Sequence, residues 1–501
     1  MTESSLSSGW HKKAETILFN RSAFIGEGYL PTNGNIVFKT VNPATETELA
    51  VFNDADIATV DLAVTTARRA FATWRLQSPD SRKSLLLSFA DHIQTAREAL
   101  ALLDSLEMGM PISNALAQVD RVAELLRYNA ELIDKTYGEI APADPANMLA
   151  FSQPEPRGVI GIISPWNFPL ATAMAAIAPA LAAGNTLVVK PSEQSPSSVL
   201  KLAEIAVESG LPVGVFNVVP GRGITTGATL ASHRDINKLH FTGSTQVGRQ
   251  LMVYAGQSNG KPVMLELGGK SPQVVFEDAA DIPKLGTVLA QSAFYNSGQL
   301  CVAKTRLLVH ENVKERLIES INTEAKTAFT IGNPLDESTT FGPISSRKQY
   351  ERVRGYLKIG QEEGADVRQL LLAGTQPKTG FFIQPVLFDN TLNTMRISQE
   401  EIFGPLLSVI SFKADEEALQ LANGVSYGLA ANVWTKDLGR ARRFARDLQA
   451  GEISICATTA PTKQPHSLSV EPFGESGHGV IAGRRGLEAY QRIKGVQIIT
   501  A

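Results

Sequence analysis

Gly158-Val-Ile-Gly-Ile-Ile163 is a run of apolar and small residues with no polar break. Such a run marks a strand buried on both faces, as in a parallel sheet. The chain after it repeats the theme. Helices are expected over 171–183, 197–210 and 223–231, with strands at 186–189, 215–218 and 238–241 between and after them. A further helix after Gly243 leads to a strand at 263–265. This strand–helix alternation is the signature of a doubly wound α/β sheet. A second alternating set runs from Ile282 to about Ile455.

Upstream of the run the texture is different. Residues 17–52 predict short strands broken by turns at Asn33-Gly34 and Asn42-Pro43. Over 56–74, Val60, Ala63, Val64, Ala67, Ala70 and Phe71 recur at helical spacing. Ser78-Pro79-Asp80 predicts a helix start, with Ser78 as N-cap and Pro79 in the first turn. Long helices are then expected over 81–108 and 112–137. Segment 138–155 and the last fifteen or so residues fit neither alternating set. Both are expected to be arms that pair with a second subunit.

The totals exclude several classes. A length of 501 residues exceeds one ordinary core, so two or three structural units are expected. With 43% hydrophobic and 19% charged residues, a soluble globular protein is expected, lacking order only in its Ser-rich first ten residues. A net charge of −3 offers no footprint for nucleic acid or an anionic membrane. The apolar stretch 169–183 is too short for a membrane span and ends at Gly184-Asn185, which predicts a buried helix. The two cysteines, Cys301 and Cys456, cannot form a disulfide framework. No basic and apolar leader opens the chain, so a reducing, cytoplasmic setting is expected.

Five stretches carry residue types suited to chemistry. Phe294-Tyr-Asn-Ser-Gly-Gln-Leu-Cys301 leads small polar residues into a thiol, as a nucleophile requires, although an inert buried thiol is the ordinary alternative. Glu266-Leu-Gly-Gly-Lys270 puts a carboxylate at the end of a parallel strand, where ligand sites of α/β sheets lie, with a surface glutamate before a turn as the alternative. Ser164-Pro-Trp-Asn-Phe-Pro169 fixes Asn167 between two prolines and so aims an amide donor of the kind a developing oxyanion needs. Lys190-Pro-Ser-Glu193 sets a donor and an acceptor suited to a ribose diol, or forms only an exposed ion pair. Phe241-Thr-Gly-Ser244 opens a helix whose free N–H groups suit phosphate, with Gly248 following. No Lys-Ser/Thr follows Gly248, so this is not a nucleotide triphosphate loop. Gly221-Arg-Gly223 is expected to be a plain loop. Gly424-Val-Ser426-Tyr-Gly428 matches a nucleophile elbow, but a helix precedes it and a strand follows, the reverse of the order an elbow needs. The seven histidines include no pair at metal-ligand helical spacing, and His466 and His478 are far apart, so no metal site is expected.

In this order and spacing the motifs, together with Glu401-Ile-Phe-Gly-Pro405 and Pro472-Phe-Gly474, resemble the aldehyde dehydrogenase superfamily, over roughly residues 20 to 498. The resemblance implies an α/β fold with a Rossmann-like NAD-binding domain (1–137 and 156–265), a catalytic α/β domain (266–470) and a small β oligomerisation arm (138–155 and 485–501). It implies NAD-dependent oxidation of an aldehyde to its acid. Cys301 would be the nucleophile, Asn167 and the Cys301 N–H would hold the oxyanion, and Glu266 would activate the hydrolytic water. Lys190 and Glu193 would clamp the adenosine ribose, Trp166 and Ser244 would lie at the pyrophosphate, Gly243 and Leu267 would line the cofactor, and Glu401 and Phe403 would hold the nicotinamide ribose. A carboxylate at Glu193 favours NAD, with NADP as the alternative. The implied partners are a small-molecule aldehyde and further copies of the chain, as a homodimer or homotetramer. The competing expectation is a catalytically weak relative kept as a binding or structural protein. Two departures stand out. Ala176 and Ile481 replace a lysine and a glutamate thought to form the family's proton exit path, and the loop after Gly474 is about three residues short.

Overall fold

The computed structural model describes residues 4–31, 37–143, 147–279, 281–282, 284–458 and 464–500, with side chains described from residue 9 onward. The turn expected at Asn33-Gly34 lies outside these residues. Two parallel-centred sheets carry the architecture.

The first sheet has eight strands, in the order Gly28–Tyr29, Phe24–Ile25, Phe216–Val218, Thr186–Lys190, Val159–Ile163, Lys238–Thr242, Val263–Glu266, Gly477–His478. Its five middle strands are parallel, and Val159–Ile163, buried along its whole length, lies at the centre. From that strand the chain winds outward to Thr186–Lys190 and Phe216–Val218. It then returns to the other side as Lys238–Thr242. The topological switch point is therefore between Val159–Ile163 and Lys238–Thr242, where an open α/β sheet leaves a crevice for ligand. The loops leaving it are Ser164–Phe168 and Gly243-Ser244.

The second sheet has seven strands, in the order Asp366–Gln369, Val386–Asp389, Leu406–Phe412, Arg306–His310, Pro272–Val275, Ala430–Trp434, Glu452–Cys456. All neighbours are parallel except the first pair. A third, smaller sheet is antiparallel. Gln491–Ile499 pairs with Met148–Pro156 over nine positions, and Ile140–Ala141 pairs with the far side of Met148–Pro156.

Several helix starts follow from local chemistry. Asp56 caps Ile57–Trp74 by accepting from the Thr59 N–H at 2.8 Å, and Ser78 caps Pro79–Thr95 through the Ser81 N–H at 3.2 Å. Other expectations are corrected. The helix expected over 81–108 is two helices, Pro79–Thr95 and Arg97–Met108, hinged at Ala96 (φ −87°, ψ 9°). Arg97 then grips Asp120 with two nitrogens at 2.6 and 2.7 Å, which fixes the new direction. The helix expected over 112–137 ends at Glu131 and gives way to a tight turn, Ile133–Lys135. The one expected over 223–231 opens as the wide turn Gly223–Gly227 before the helix Ala228–Ser232. There Asp54 accepts from the hydroxyls of Thr225 and Thr226 and from the Arg222 N–H, so side chains compete for backbone positions. The Ser-rich start is helical over Ser4–Thr16, and the Trp10 indole donates to Glu337 at 3.0 Å.

Candidate active site

The loop that carries Cys301 is built on unusual backbone. After the helix Leu285–Phe294, Asn296 (φ 53°) and Ser297 (φ 56°) are both left-handed, and Gly298 (φ 72°) makes three in succession. Such conformations cost about 1 kcal/mol or more each for non-glycine residues and persist only where the surroundings hold them. Here they are held. Ser297 Oγ donates to the Gly342 carbonyl at 2.7 Å. Gln299 is buried, donates to the carbonyls of Asn296 (3.1 Å) and Pro343 (3.3 Å), and accepts from the Ser345 N–H (2.8 Å). A Cβ on Gly298 would meet the Gly404 carbonyl oxygen at 2.3 Å, so this loop lies directly on Gly404-Pro405.

Asn167 joins the same network. Its Nδ2 donates to the Gln299 carbonyl at 3.0 Å, and Asn296 Nδ2 donates to the Asn167 carbonyl at 3.0 Å. An amide nitrogen carries two protons. One fixes the side chain two residues before the thiol, and the other is left for a ligand.

Glu266 ends the strand Val263–Glu266 and is partly buried. Its Oε1 is buried with no hydrogen-bond partner. Burial, and then the Glu471 charge, push its carboxyl up to about 8. The two glycines after Leu267 act by close approach. A Cβ on Gly268 would strike Glu401 Oε2 at 2.1 Å, and one on Gly269 would lie 3.1 Å from the Cys301 carbonyl oxygen. Glu401 Oε1 accepts from the Gly269 N–H at 3.2 Å. Burial pushes the Glu401 carboxyl up to about 7. Cys301 is a free thiol of intermediate exposure. Burial of its sulfur, followed by the charges of Glu401 and Glu266, pushes it up to about 12. The resting group is therefore a thiol, and a base is needed to make it react.

Around the switch point, Trp166 packs edge-on against Phe403 with ring centroids 5.3 Å apart, and Phe403 is itself left-handed (φ 62°). Gln349 Nε2 donates to the carbonyls of Ile402 and Phe403, and Arg352 donates to that of Glu401. Gly243 N–H donates to the Glu266 carbonyl at 3.0 Å, and a Cβ on Gly243 would strike the Phe241 ring at 2.4 Å. Ser244 is exposed and caps the helix Thr245–Ser258. Leu267 is buried beneath that helix, where a Cβ on Gly248 would meet it at 2.8 Å.

Lys190 and Glu193 form a separate cluster further along the crevice. Lys190 is buried and donates to the Pro191 and Gly221 carbonyls, each at 2.6 Å, with Glu193 Oε2 at 3.7 Å. Burial lowers the Lys190 pKa. Two of the three ammonium protons are used, while the Glu193 side chain is 41% exposed and open to a diol. The loop Gly221-Arg-Gly223 thus has a task that its spacing did not reveal: Gly221 positions Lys190. The residue set suits a nicotinamide dinucleotide, with an exposed helix N-terminus for phosphate and a carboxylate beside a lysine for a ribose. Among the described residues no group of three or more His, Cys, Asp or Glu could hold a metal ion.

Some bracing residues carry no local signal in the sequence. Ser476 is buried, accepts from the Gly428 N–H at 3.0 Å and donates to the Gly268 carbonyl at 2.8 Å. Its neighbours Gly477–His478 add an antiparallel strand beside Leu265 and Glu266, so the tail clamps the strand end. Ser426, in the pattern of a nucleophile elbow, lies between the helix Asp415–Asn423 and the strand Tyr427–Gly428 and donates to Glu475 at 3.1 Å. Ala176 is fully buried, and Ile481 packs against the same apolar cluster.

The model of the aldehyde dehydrogenase family matches residues 29–496. The NADP/NAD-dependent aldehyde dehydrogenase PuuC of Escherichia coli is 40% identical over 495 residues, covering 98% of each chain. The structure of the indole-3-acetaldehyde dehydrogenase AldA of P. syringae, in complex with NAD+ and IAA, superposes with a TM-score of 0.94 at 38% identity, covering 99% of this chain and 100% of that one. The gamma-glutamyl-gamma-aminobutyraldehyde dehydrogenase of Burkholderia cenocepacia gives 0.93 at 39% identity, covering 99% of each. The chain belongs to the aldehyde dehydrogenase family. It is an oxidoreductase acting on aldehydes, with NAD or NADP as its cofactor. No helix among the described residues is long and apolar enough to cross a membrane.

Proposed function

We propose that the chain oxidises an aldehyde to its carboxylic acid through a covalent intermediate on Cys301. The observation that carries this reading is the Asn167 amide, tied to the Gln299 carbonyl two residues before the thiol and left with one free N–H. Cys301 loses its proton to a base and attacks the aldehyde carbon, forming a thiohemiacetal. Asn167 Nδ2–H and the Cys301 N–H hold the developing oxyanion, and because both donors are fixed in advance they need no reorganisation. A nicotinamide held beside Glu401 and Phe403 would supply the hydride acceptor, and Cys301 would keep the acyl group as a thioester. Glu266 takes a proton from water, the resulting hydroxide attacks the thioester, and the C–S bond breaks to release acid and thiolate. Glu401 and Phe403 orient the nicotinamide side, and Lys190 and Glu193 the adenosine side. Ser244, Trp166, Gly243 and Leu267 line the path between.

Glu193 supports NAD over NADP, because a second phosphate at the ribose would face its carboxylate. The alternative, a relative with no useful catalysis, is disfavoured by the joint presence of Asn167, Glu266 and Cys301. A panel of aliphatic, aromatic and charged aldehydes, assayed at the NADH band with NAD and with NADP, tests the activity. Turnover of at least one aldehyde, faster with NAD, is expected; cofactor binding without turnover on any would sink the reading. The panel also addresses the substrate, since the relatives' names already span indole and glutamyl aldehydes. Asn167→Ala should lower kcat by about 10²- to 10³-fold, the usual loss for one oxyanion donor, with the KM for NAD unchanged.

We assign the first sheet to the cofactor-binding domain and the second to the catalytic domain, with the site where they meet: Glu266 and the Asn167 loop belong to the first sheet, while Cys301 and Glu401 precede strands of the second. The antiparallel sheet presents Ile140, Leu149, Ile493, Ile498 and Ile499 exposed. That supports its role as an arm joining copies of the chain into a homodimer or homotetramer. A cytoplasmic setting accords with two free thiols, one of which must stay reduced to react.

A further inference from the structure

The helix Ile112–Glu131 packs along Pro169–Ala182, the helix that begins just after Asn167. Its charged side chains are paired, with one exception. Asp120 takes Arg97, Arg127 reaches Asp91 at 2.7 Å, Glu131 takes Lys83, and Glu124 lies 4.0 Å from His466. Arg121 is exposed and, among the described residues, has neither an ion pair nor a hydrogen bond. An unpaired surface arginine is ordinary in itself. Its neighbours are what give this one a task.

Gln118 and Arg121 stand three residues apart on one face of the helix. Gln118 Nε2 donates to the Tyr295 hydroxyl at 3.4 Å. Tyr295 opens the loop that ends at Cys301, and its ring stacks on Phe168, the residue after Asn167, with centroids 6.2 Å apart. Tyr295 therefore joins the thiol loop to the face that carries Arg121. Burial raises its phenol, the Gln118 amide and the Arg121 charge work against that, and no carboxylate acts on it. The site's carboxylates lie elsewhere: Glu401 and Glu266 act on Cys301, and Glu471 acts on Glu266. The walls near Tyr295 are apolar. Leu300 and Ala171 pack in the same cluster. Of the helix Pro169–Ala182 only Ala171, Thr172 and Ala175 are not buried, so its open face carries no bulky side chain.

We propose that Arg121, backed by Gln118 and Tyr295, binds a carboxylate at the far end of the aldehyde substrate, so that the preferred substrates are semialdehydes of dicarboxylic acids. This deepens the reading of Cys301 as the nucleophile and rests on it. A planar guanidinium meets a carboxylate with two parallel N–H···O bonds, and Arg121 has its donors free for them. The Tyr295 hydroxyl accepts from Gln118 and so keeps its own proton to donate to the same carboxylate. Charge also orients the substrate. Its anionic end is repelled by Glu266 and Glu401 beside the thiol and attracted to Arg121, which leaves the aldehyde end for Cys301. An ammonium in place of the carboxylate would meet only the guanidinium, so a cationic aldehyde is disfavoured at this end.

The test compares succinic, glutaric and adipic semialdehydes with butanal, pentanal and hexanal, using NAD and the full chain, unmodified and as Arg121→Gln and Arg121→Lys. At least one semialdehyde should exceed its neutral counterpart in kcat/KM by about 10-fold or more. Arg121→Gln should raise the KM for that semialdehyde by about 10- to 100-fold, the worth of a charge-assisted hydrogen bond, and leave its kcat and the neutral aldehydes unchanged. Arg121→Lys should recover only part, because an ammonium offers no fork. Arg121 is exposed, so neither variant should disturb folding. No semialdehyde preference, or one that survives Arg121→Gln, overturns the subsite. A second measurement needs no turnover: calorimetry of succinate, glutarate and adipate, against butanoate, pentanoate and hexanoate, with NADH bound. A dicarboxylate that binds more tightly, and loses this advantage in Arg121→Gln, supports the subsite; equal binding of the two sets overturns it. The two layers separate. Oxidation of neutral aldehydes with no effect of Arg121→Gln keeps Cys301 and removes Arg121. If no aldehyde is turned over, the Cys301 reading falls and the calorimetry alone decides Arg121.

Discussion

Replacing Cys301 with alanine is expected to abolish aldehyde oxidation, by on the order of 10⁴-fold or more, while NAD binding survives. No second thiol can substitute. Cys456 is 4% exposed, at the end of a strand in the second sheet, and packs in that sheet's core. Ser426 is held by Glu475 and lies before a strand, without the strand-to-helix turn that would expose its oxygen. The binding of NAD should persist because the residues proposed for it are fixed independently of the thiol. Lys190 is held by Pro191 and Gly221, and Glu401 by the Gly269 N–H. Ser244 is fixed as a helix cap. Removing one sulfur from a half-open site costs about 1 kcal/mol of stability, too little to unfold the chain. Absorbance of NADH reports turnover, and titration calorimetry reports binding. Residual oxidation above about 1% of the unmodified rate, after alkylation of Cys456 is ruled neutral, would remove Cys301 from its role.

The framework that presents this thiol was legible because its signals are local. Val159–Ile163 and Thr186–Lys190 are buried on both faces, and the first of them, like Leu187, Val188 and Val189 in the second, is wholly apolar or glycine. Glu266 and Lys190 stand out because they are the first charged residues after such runs. What was hidden depends on partners far along the chain. Gln299 looks like a spacer, yet its contacts are at Pro343 and Ser345. Ser476 follows a glycine-rich turn, yet it binds Gly268 and Gly428. Asn296 and Ser297 have no composition cue for two left-handed conformations in succession, since tertiary hydrogen bonds impose them. The hinge at Ala96 was invisible for a related reason: a one-residue change of direction hardly disturbs a helical period. His240 carries no local cue, since no second histidine stands at metal-ligand spacing from it. Its partner Tyr490 is 250 residues away.

Glu266→Gln should leave the first half-reaction largely intact and stall the second, with the acyl group retained on Cys301. The glutamine keeps the shape of the side chain but cannot take a proton from water. Hydrolysis of the thioester then loses its general base, a loss of about 10²- to 10⁴-fold. Intact mass after brief exposure to aldehyde and NAD should show the acyl adduct, which the unmodified chain clears. The pH dependence supplies a second, independent reading. Burial and Glu471 push the Glu266 carboxyl up to about 8, so the basic form grows as pH rises through that value. Deacylation of the unmodified chain should therefore increase with pH across this range, whereas in Glu266→Gln that rise should vanish. Glu471 makes the direction checkable. Removing its charge (Glu471→Gln) leaves burial as the cause of the shift, so the inflection should move to lower pH and deacylation at neutral pH should quicken. An inflection that stays in place in Glu471→Gln but disappears in Glu266→Gln would keep the base and discard Glu471 as its tuner. Normal turnover by Glu266→Gln, with no adduct, would instead return the unpartnered Oε1 of Glu266 to the status of an unexplained buried oxygen.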